Sequence, residues 1–132
     1  MKVAFDTNII VRLLAADDPT QLAAARRTLA EATEIVLPIV ALAEAVWVMR
    51  RAYHVPLSTL TPILERLVAD ERVRCDRSLV AEGIAMMHRG GDFADAVIEA
   101  DGRRLGAETL ATFDEQAARL LIDAGAAVTR PI

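Results

Sequence analysis

Four acidic residues stand in largely apolar surroundings, where a carboxylate could do chemistry: Asp6, Glu44, Asp95 and Asp114. Glu44 is the clearest of them, because it is the only ionisable residue in the segment 35–49. Burying a carboxylate there is unfavourable unless a cation or strong hydrogen-bond donors neutralise it. Four such acids, each tied to the edge of a predicted element, suggest one shared ligand. A divalent metal ion is the simplest candidate.

The chemistry of such a site follows from its ligand atoms. Carboxylates brought together repel one another unless cations intervene. Oxygen ligands alone favour the hard ions Mg²⁺ or Mn²⁺ over zinc. Mg²⁺ held by a few carboxylates keeps waters, which can be activated or exchanged for phosphate oxygens. This arrangement predicts metal-assisted phosphodiester hydrolysis.

Short apolar segments typical of strands alternate with longer segments of helical pattern. Strands are predicted at 2–6, 34–37 and 109–113, at 127–129, and as a short one at 73–75. Helices are predicted at 18–32, 58–69, 78–88, 92–106 and 115–124, with one more ending near 53. The alternation predicts an α/β fold with a parallel sheet of four to five strands between helices.

The order of strands and helices predicts where the four acids lie in the fold. In open α/β sheets the ligand cleft lies beyond the carboxyl ends of the strands. Asp6 and Asp114 each follow a predicted strand, so both would lie at that edge. Glu44, about two turns into its helix, and Asp95, in the first turn of its own, could reach the same rim.

Each acid also has a simpler interpretation. Asp114 could cap the helix that follows it. Asp92 is favoured as an N-cap because Gly90 and Gly91 precede it. Asp95 could simply complement the dipole of its helix, and Asp6 could form an Asx-type turn. We favour a shared metal site because the simple interpretations would have to hold at all four acids together.

Size and composition narrow the class of protein. The 132 residues predict one domain spanning 1–132, and a hydrophobic content of 54% argues against disorder. No apolar run reaches the roughly 18 residues of a membrane span. The first residues form a strand-like segment and not a signal sequence, which predicts a cytoplasmic protein. Cys75 is the single cysteine, so internal disulfides and cysteine-rich zinc sites are excluded.

The charge pattern is unusual for a nucleic-acid-binding protein, because the net charge is −4. Bound cations would reverse the local field around clustered acids. Lys2 is the only lysine, and the other bases are arginines, which suit bidentate phosphate contacts. A compositional bias toward arginine is the simpler explanation. Arg12, close in sequence to Asp6, is the best candidate for a phosphate contact.

Four ordered segments resemble the PIN-domain ribonucleases, and most closely the VapC toxins of prokaryotic toxin–antitoxin pairs. They are Asp6-Thr7-Asn8-Ile9-Ile10-Val11-Arg12, Glu44 with Val46-Trp47-Val48, Asp92-Phe93-Ala94-Asp95-Ala96-Val97-Ile98, and Thr112-Phe113-Asp114. The resemblance covers essentially the whole chain. No single motif is decisive, but the ordered set at these spacings is specific.

The resemblance implies a parallel sheet between helices and Mg²⁺- or Mn²⁺-dependent endonucleolytic cleavage of RNA. It implies four metal-binding and catalytic acids: Asp6, Glu44, Asp95 and Asp114. Asn8 and Thr112 would hydrogen-bond these carboxylates, and Asp92 would support them from outside the metal shell. Arg12 would contact RNA. The resemblance further implies a homodimer and a small antitoxin protein that covers the acids.

Two other classes of enzyme do not fit the sequence. A HAD-like phosphatase would need a second aspartate where this chain has Asn8, and a later lysine that is absent. A P-loop nucleotidase is excluded because no glycine-rich loop ends in Lys-Ser or Lys-Thr. The alternative that stays open is a catalytically inactive PIN-like module that binds a protein or a nucleic acid.

Overall fold

Helices and strands alternate along the chain in a computed structural model that describes residues 1–15 and 17–132. In these residues the strands are β1 (Lys2–Ala4), β2 (Glu34–Val36), β3 (Val73–Arg74), β4 (Leu110–Ala111) and β5 (Val128–Thr129). The helices are α1 (Thr7–Ala15), α2 (Pro19–Glu31), α3 (Ile39–Arg51), α4 (Leu57–Ala69), α5 (Arg77–His88), α6 (Phe93–Arg104) and α7 (Glu115–Asp123). Their contacts divide the chain into two compact units, Met1–Arg77 and Ser78–Ile132.

The sheet of the first unit has the strand order β1-β2-β3, and its strands run parallel. Ala4 pairs with Val36, and Val36 pairs with Arg74, so the three strands end at one edge. Ile35, in the central strand, is fully buried. Residues that follow the strands, Asp6 among them, therefore lie at this edge.

Helix α3 packs through a narrow apolar stripe. The buried residues recur at the helical spacing and are Ala41, Leu42, Ala45, Val46 and Met49. Helix α1 contributes Ile10, Val11 and Leu14 to the same core, and it packs against α2, α3 and α4. This packing fixes α3 beside the residues that follow β1.

Helix α2 is held at both ends by polar contacts. Asp18, at the predicted start of the helix, is its N-cap and accepts a hydrogen bond from the Gln21 amide over 3.0 Å. At the other end the Arg72 guanidinium donates to the carbonyl oxygens of Leu29 and Ala32 over 2.7 and 3.1 Å. The same guanidinium contacts both carboxylate oxygens of Asp70.

The second unit contains a parallel two-stranded ladder in which Leu110 pairs with Val128. Its core includes Met86, Ala96 and Leu121. Helices α5 and α6 approach closely at Gly83, because a Cβ atom there would overlap the ring of Phe93. This contact fixes the beginning of α6.

The predicted α/β class with parallel strands is confirmed, and the described residues contain five strands. The strands pair as a sheet of three and a ladder of two. The single domain over 1–132 stays a prediction. Among residues 1–15 and 17–132, no helix has the length and apolarity needed to cross a membrane.

Candidate functional site

Asp6 follows β1 at the carboxyl edge of the three-stranded sheet, as the sequence predicts. Its Oδ1 atom accepts a hydrogen bond from the Ile9 amide over 3.0 Å, which caps α1. The simpler interpretation as a turn residue is therefore also realised. A carboxylate has two oxygens with several lone pairs, so this bond leaves acceptor capacity for a cation. The side chain is exposed to solvent.

A cleft of about 340 Å³ opens beside Asp6 at this edge. One wall is the junction of β1 and α1, and the other is the beginning of α3. The lining residues are Ala4, Phe5, Asp6, Thr7, Pro38, Val40 and Ala41. The cleft gives a ligand direct access to the carboxylate of Asp6.

Glu44 lies on the outside of α3, and its side chain is exposed. The premise that this carboxylate is buried in an apolar segment is wrong. The helical repeat places Glu44 on the same side as Val40 and Trp47, which are 74% and 53% exposed. The apolar segment thus supplies residues to both the buried and the exposed side of α3. Glu44 lies one turn after Val40, which lines the cleft beside Asp6.

In the second unit, two acids lie at the beginning of α6. Asp92 has the extended backbone of an N-cap, but its carboxylate makes no capping hydrogen bond to the helix. The capping bond predicted for Asp92 is therefore wrong, although its N-cap position is confirmed. Asp95 lies in the first turn and is partly buried beside Ala96 and Val97. A negative charge there is favoured by the helix dipole.

Asp114 is the N-cap of α7, and its Oδ1 atom accepts a hydrogen bond from the Ala117 amide over 2.9 Å. The backbone amide of Asp114 donates to Oγ1 of Thr112 over 3.0 Å. The bond seen for Thr112 is thus to a backbone amide, where the sequence predicts a bond to a carboxylate. Both contacts fix the orientation of Asp114, whose side chain is exposed.

Arg12, the predicted RNA contact, is bound to other side chains of the first unit. Its Nη1 atom donates to Asp17 over 2.7 Å and to the Tyr53 hydroxyl over 3.3 Å. The bond to Tyr53 and that to Asp17 raise the pKa of Arg12, and the bond from Arg12 lowers the pKa of Asp17. Asn8 and Arg12 line a second cleft, of about 380 Å³, between α1 and α2. The Arg12 contact with RNA stays a prediction.

The donor atoms of these acids suit a hard divalent cation, because all of them are carboxylate oxygens. Among the described residues, no group of three or more His, Cys, Asp or Glu is arranged to hold a metal ion. Mg²⁺, however, is commonly held by one or two carboxylates, with waters and substrate phosphates as its other ligands. Asp6 in its cleft therefore fits such an ion by donor chemistry. The full ligand set stays a prediction.

Two features of the site were not evident from the sequence: the cleft beside Asp6 and the exposure of Trp47. Both depend on how α3 packs, and the helical spacing of Val40, Glu44 and Trp47 is the signal that could have indicated them. In comparison with known proteins, the sequence model of the PIN domain family matches residues 3–121. The match includes all four candidate acids. No curated protein matches the chain.

Proposed function

The chain belongs to the PIN domain family, whose members are in general metal-dependent nucleases, and we propose that it is an Mg²⁺- or Mn²⁺-dependent endoribonuclease. The observation that carries this proposal is the family match over residues 3–121, which contains the acids in their expected order. The position of Asp6 supports it, because the side chain lies at the carboxyl edge of the sheet and in an open cleft.

Asp6 and Asp95 are our assigned metal ligands, with Glu44 completing or orienting the metal shell and Asp114 as a fourth acid. A divalent cation, when bound, supplies Lewis-acid stabilisation of the charge that develops on the phosphate. The Ile9 amide holds Asp6 by its Oδ1 atom, and the Ala117 amide holds Asp114 in the same way. Such fixed carboxylates need little reorganisation when a cation binds. His54 and His88 have no assigned role.

The finer assignment rests on the resemblance of the ordered segments to VapC toxins. On this basis we assign the chain as the toxin of a VapBC-type pair, with RNA as substrate and a small antitoxin as partner. It would act in the cytoplasm as a homodimer. Expression in a bacterial host should arrest growth, and the Asp6→Asn variant should not. Light scattering of the purified chain should give twice the monomer mass; a monomer alone would contradict the homodimer.

Cleavage of RNA by the purified chain tests the nuclease assignment. We expect fragments with Mg²⁺ or Mn²⁺, and none with EDTA. Glu44→Gln should lower the rate on the order of a hundredfold. Glu65→Gln is the matched control, since Glu65 is also an exposed helical acid but lies on α4.

The outcomes separate the two candidate functions. A chain that binds RNA but shows no metal-dependent cleavage would be the inactive binding module. Calorimetric titration with Mn²⁺ gives a readout that does not depend on turnover. If the Asp6→Asn variant bound Mn²⁺ as tightly as the wild type, with an unchanged circular dichroism spectrum, then Asp6 would not be a metal ligand.

A further inference from the structure

Trp47 is the only tryptophan of the chain, and its side chain is half exposed on α3. The two buried phenylalanines, Phe5 and Phe93, are each only 2% exposed. The other aromatic residues, Tyr53 and Phe113, are 38% and 83% exposed. An indole contributes a large apolar area when it is buried. Trp47 shares its side of α3 with the exposed Val40, and exposed apolar residues grouped on one face indicate a surface that meets a ligand or a partner.

The outer face of α3 is defined by four exposed residues spaced at successive helical turns: Val40, Glu44, Trp47 and Arg51. Val40 at its beginning lines the cleft that contains Asp6. Glu44 and Trp47 are three residues apart, which places their Cβ atoms about 5–6 Å from each other. Trp47 and the proposed catalytic Glu44 are therefore neighbours on the surface of α3.

The charges along this face identify the kind of ligand that fits it. Along α3, Trp47 lies between Glu44 and Arg51, and all three side chains are exposed. A nucleotide has a flat apolar base and an anionic phosphate, which match an aromatic ring with a guanidinium one turn away. A protein partner or a second copy of the chain would instead bury Glu44 at the centre of an interface. Charged residues are depleted from interface centres because their desolvation is unfavourable.

We propose that Trp47 stacks on an unpaired base of the RNA next to the scissile phosphate, and that it thereby selects single-stranded substrate. This inference rests on the proposed nuclease function. A base can lie on the indole only when it is free of its own neighbours, and in an A-form duplex both faces of each base are covered. Stacking on an aromatic ring is tolerant of base identity, so Trp47 selects unpaired structure and not one base.

The intrinsic fluorescence of the chain reports on this contact directly, because Trp47 is its only tryptophan. The full chain is titrated in EDTA, which prevents metal-dependent cleavage, with a single-stranded RNA oligonucleotide and with the same strand annealed to its complement. We expect quenching of Trp47 by the single strand and little change with the duplex. Unchanged emission at saturating single-stranded RNA would overturn the proposal.

Substitutions measure the contribution of the ring. Trp47→Leu should raise the Kd for labelled single-stranded RNA about tenfold in fluorescence anisotropy, while Trp47→Phe stays within about threefold. Ile122→Ala is the matched control, since it removes exposed apolar surface from α7 and not from the outer face of α3. Equal losses in Trp47→Leu and Ile122→Ala would show a general apolar effect and overturn the proposal.

A protein interface at this face gives a different result. Trp47 emission would then shift to shorter wavelength as protein concentration rises without RNA, and Trp47→Leu would lower the mass in sedimentation. That pair of observations would overturn the proposal. Failure of the stacking proposal can be distinguished from failure of the nuclease assignment. Cleavage of RNA without quenching of Trp47 fluorescence refutes stacking alone. Quenching without any metal-dependent cleavage refutes the nuclease and leaves a single-strand-binding surface.

Discussion

The backbone amide of Ala117 donates a hydrogen bond to Oδ1 of Asp114 over 2.9 Å, so a proposed metal ligand also begins α7. Asp6 stands in the same relation to Ile9 at the beginning of α1. Capping requires one acceptor oxygen, which asparagine also provides. Holding a cation draws on the carboxylate charge, which asparagine lacks. The two roles can therefore be separated by the choice of substitution.

We expect Asp114→Asn to keep the free energy of unfolding of the wild type, and Asp114→Ala to lower it by about 1 kcal/mol because the cap is lost. Urea unfolding measures this difference. Both variants should lower the affinity for Mn²⁺ in calorimetric titration. Wild-type affinity in Asp114→Asn would restrict this residue to capping.

Asp6→Asn is expected to unfold at the same urea concentration as the wild type, since asparagine can accept the Ile9 bond. Its RNA cleavage in Mg²⁺ should fall on the order of a hundredfold, because the charge that holds the cation is lost. Rates of cleavage of a labelled RNA give the comparison. Asp18→Asn is the control, because Asp18 makes the same kind of cap at α2 and has no proposed role in the reaction.

The caps show how far local sequence determines this fold. Asp18 and Asp114 begin α2 and α7 where the sequence predicts helix starts, because an N-cap acts on amides only three residues away. Helix α1 is not among the predicted helices. Its first half contains Thr7 and the β-branched run 9–11, which are weak helix formers. Burial of the apolar side of α1 against α3 overrides that local preference.

The candidate site shows where local sequence gives no answer. The apolar composition around Glu44 suggested burial, but the exposed side of α3 carries Val40 and Trp47 as well. The composition of a segment does not indicate which face of a helix meets the core. The spacing of its apolar residues does. The contacts of Arg12 with Asp17 and Tyr53 could not be predicted from the sequence either. Tyr53 is 41 residues away along the chain, and only folding brings it beside Arg12.

Two glycines in neighbouring helices should respond to alanine in opposite directions. A Cβ atom at Gly83 would overlap the ring of Phe93, so Gly83→Ala should lower the free energy of unfolding by about 1–3 kcal/mol. At Gly102 in α6, apart from the chain neighbours and the nearby backbone of the helix itself, no atom lies within 4 Å of the new Cβ. Gly102→Ala should therefore raise stability by about 0.5–1 kcal/mol. Thermal unfolding measures both, and destabilisation by both variants would contradict the assigned contact.

His54, just beyond α3, is the one non-glycine residue with a positive φ, 53°, among those described. A Cβ atom is unfavourable in this left-handed conformation. His54→Gly should therefore be more stable than His54→Ala by about 1 kcal/mol, although glycine also gains entropy in the unfolded chain. Urea unfolding of the pair gives the difference. Equal stability of the two variants would show that the left-handed turn is not maintained in solution.

Asp70 gives the acid dependence of stability a specific source. Its hydrogen bonds with Arg72 lower the pKa of the Asp70 carboxyl below its usual 3.8. A carboxylate with a lowered folded-state pKa stabilises the fold above the unfolded-state value, and the effect disappears as the pH falls through the folded-state value. Asp70→Asn should thus be less stable than the wild type near neutral pH, and the two should begin to converge only as the pH falls below 3.8. Urea unfolding across this range tests the expectation, with Glu65→Gln as an exposed acid that makes no ion pair among the residues described. A difference between wild type and Asp70→Asn that stays constant with pH would show that the ion pair with Arg72 is not formed.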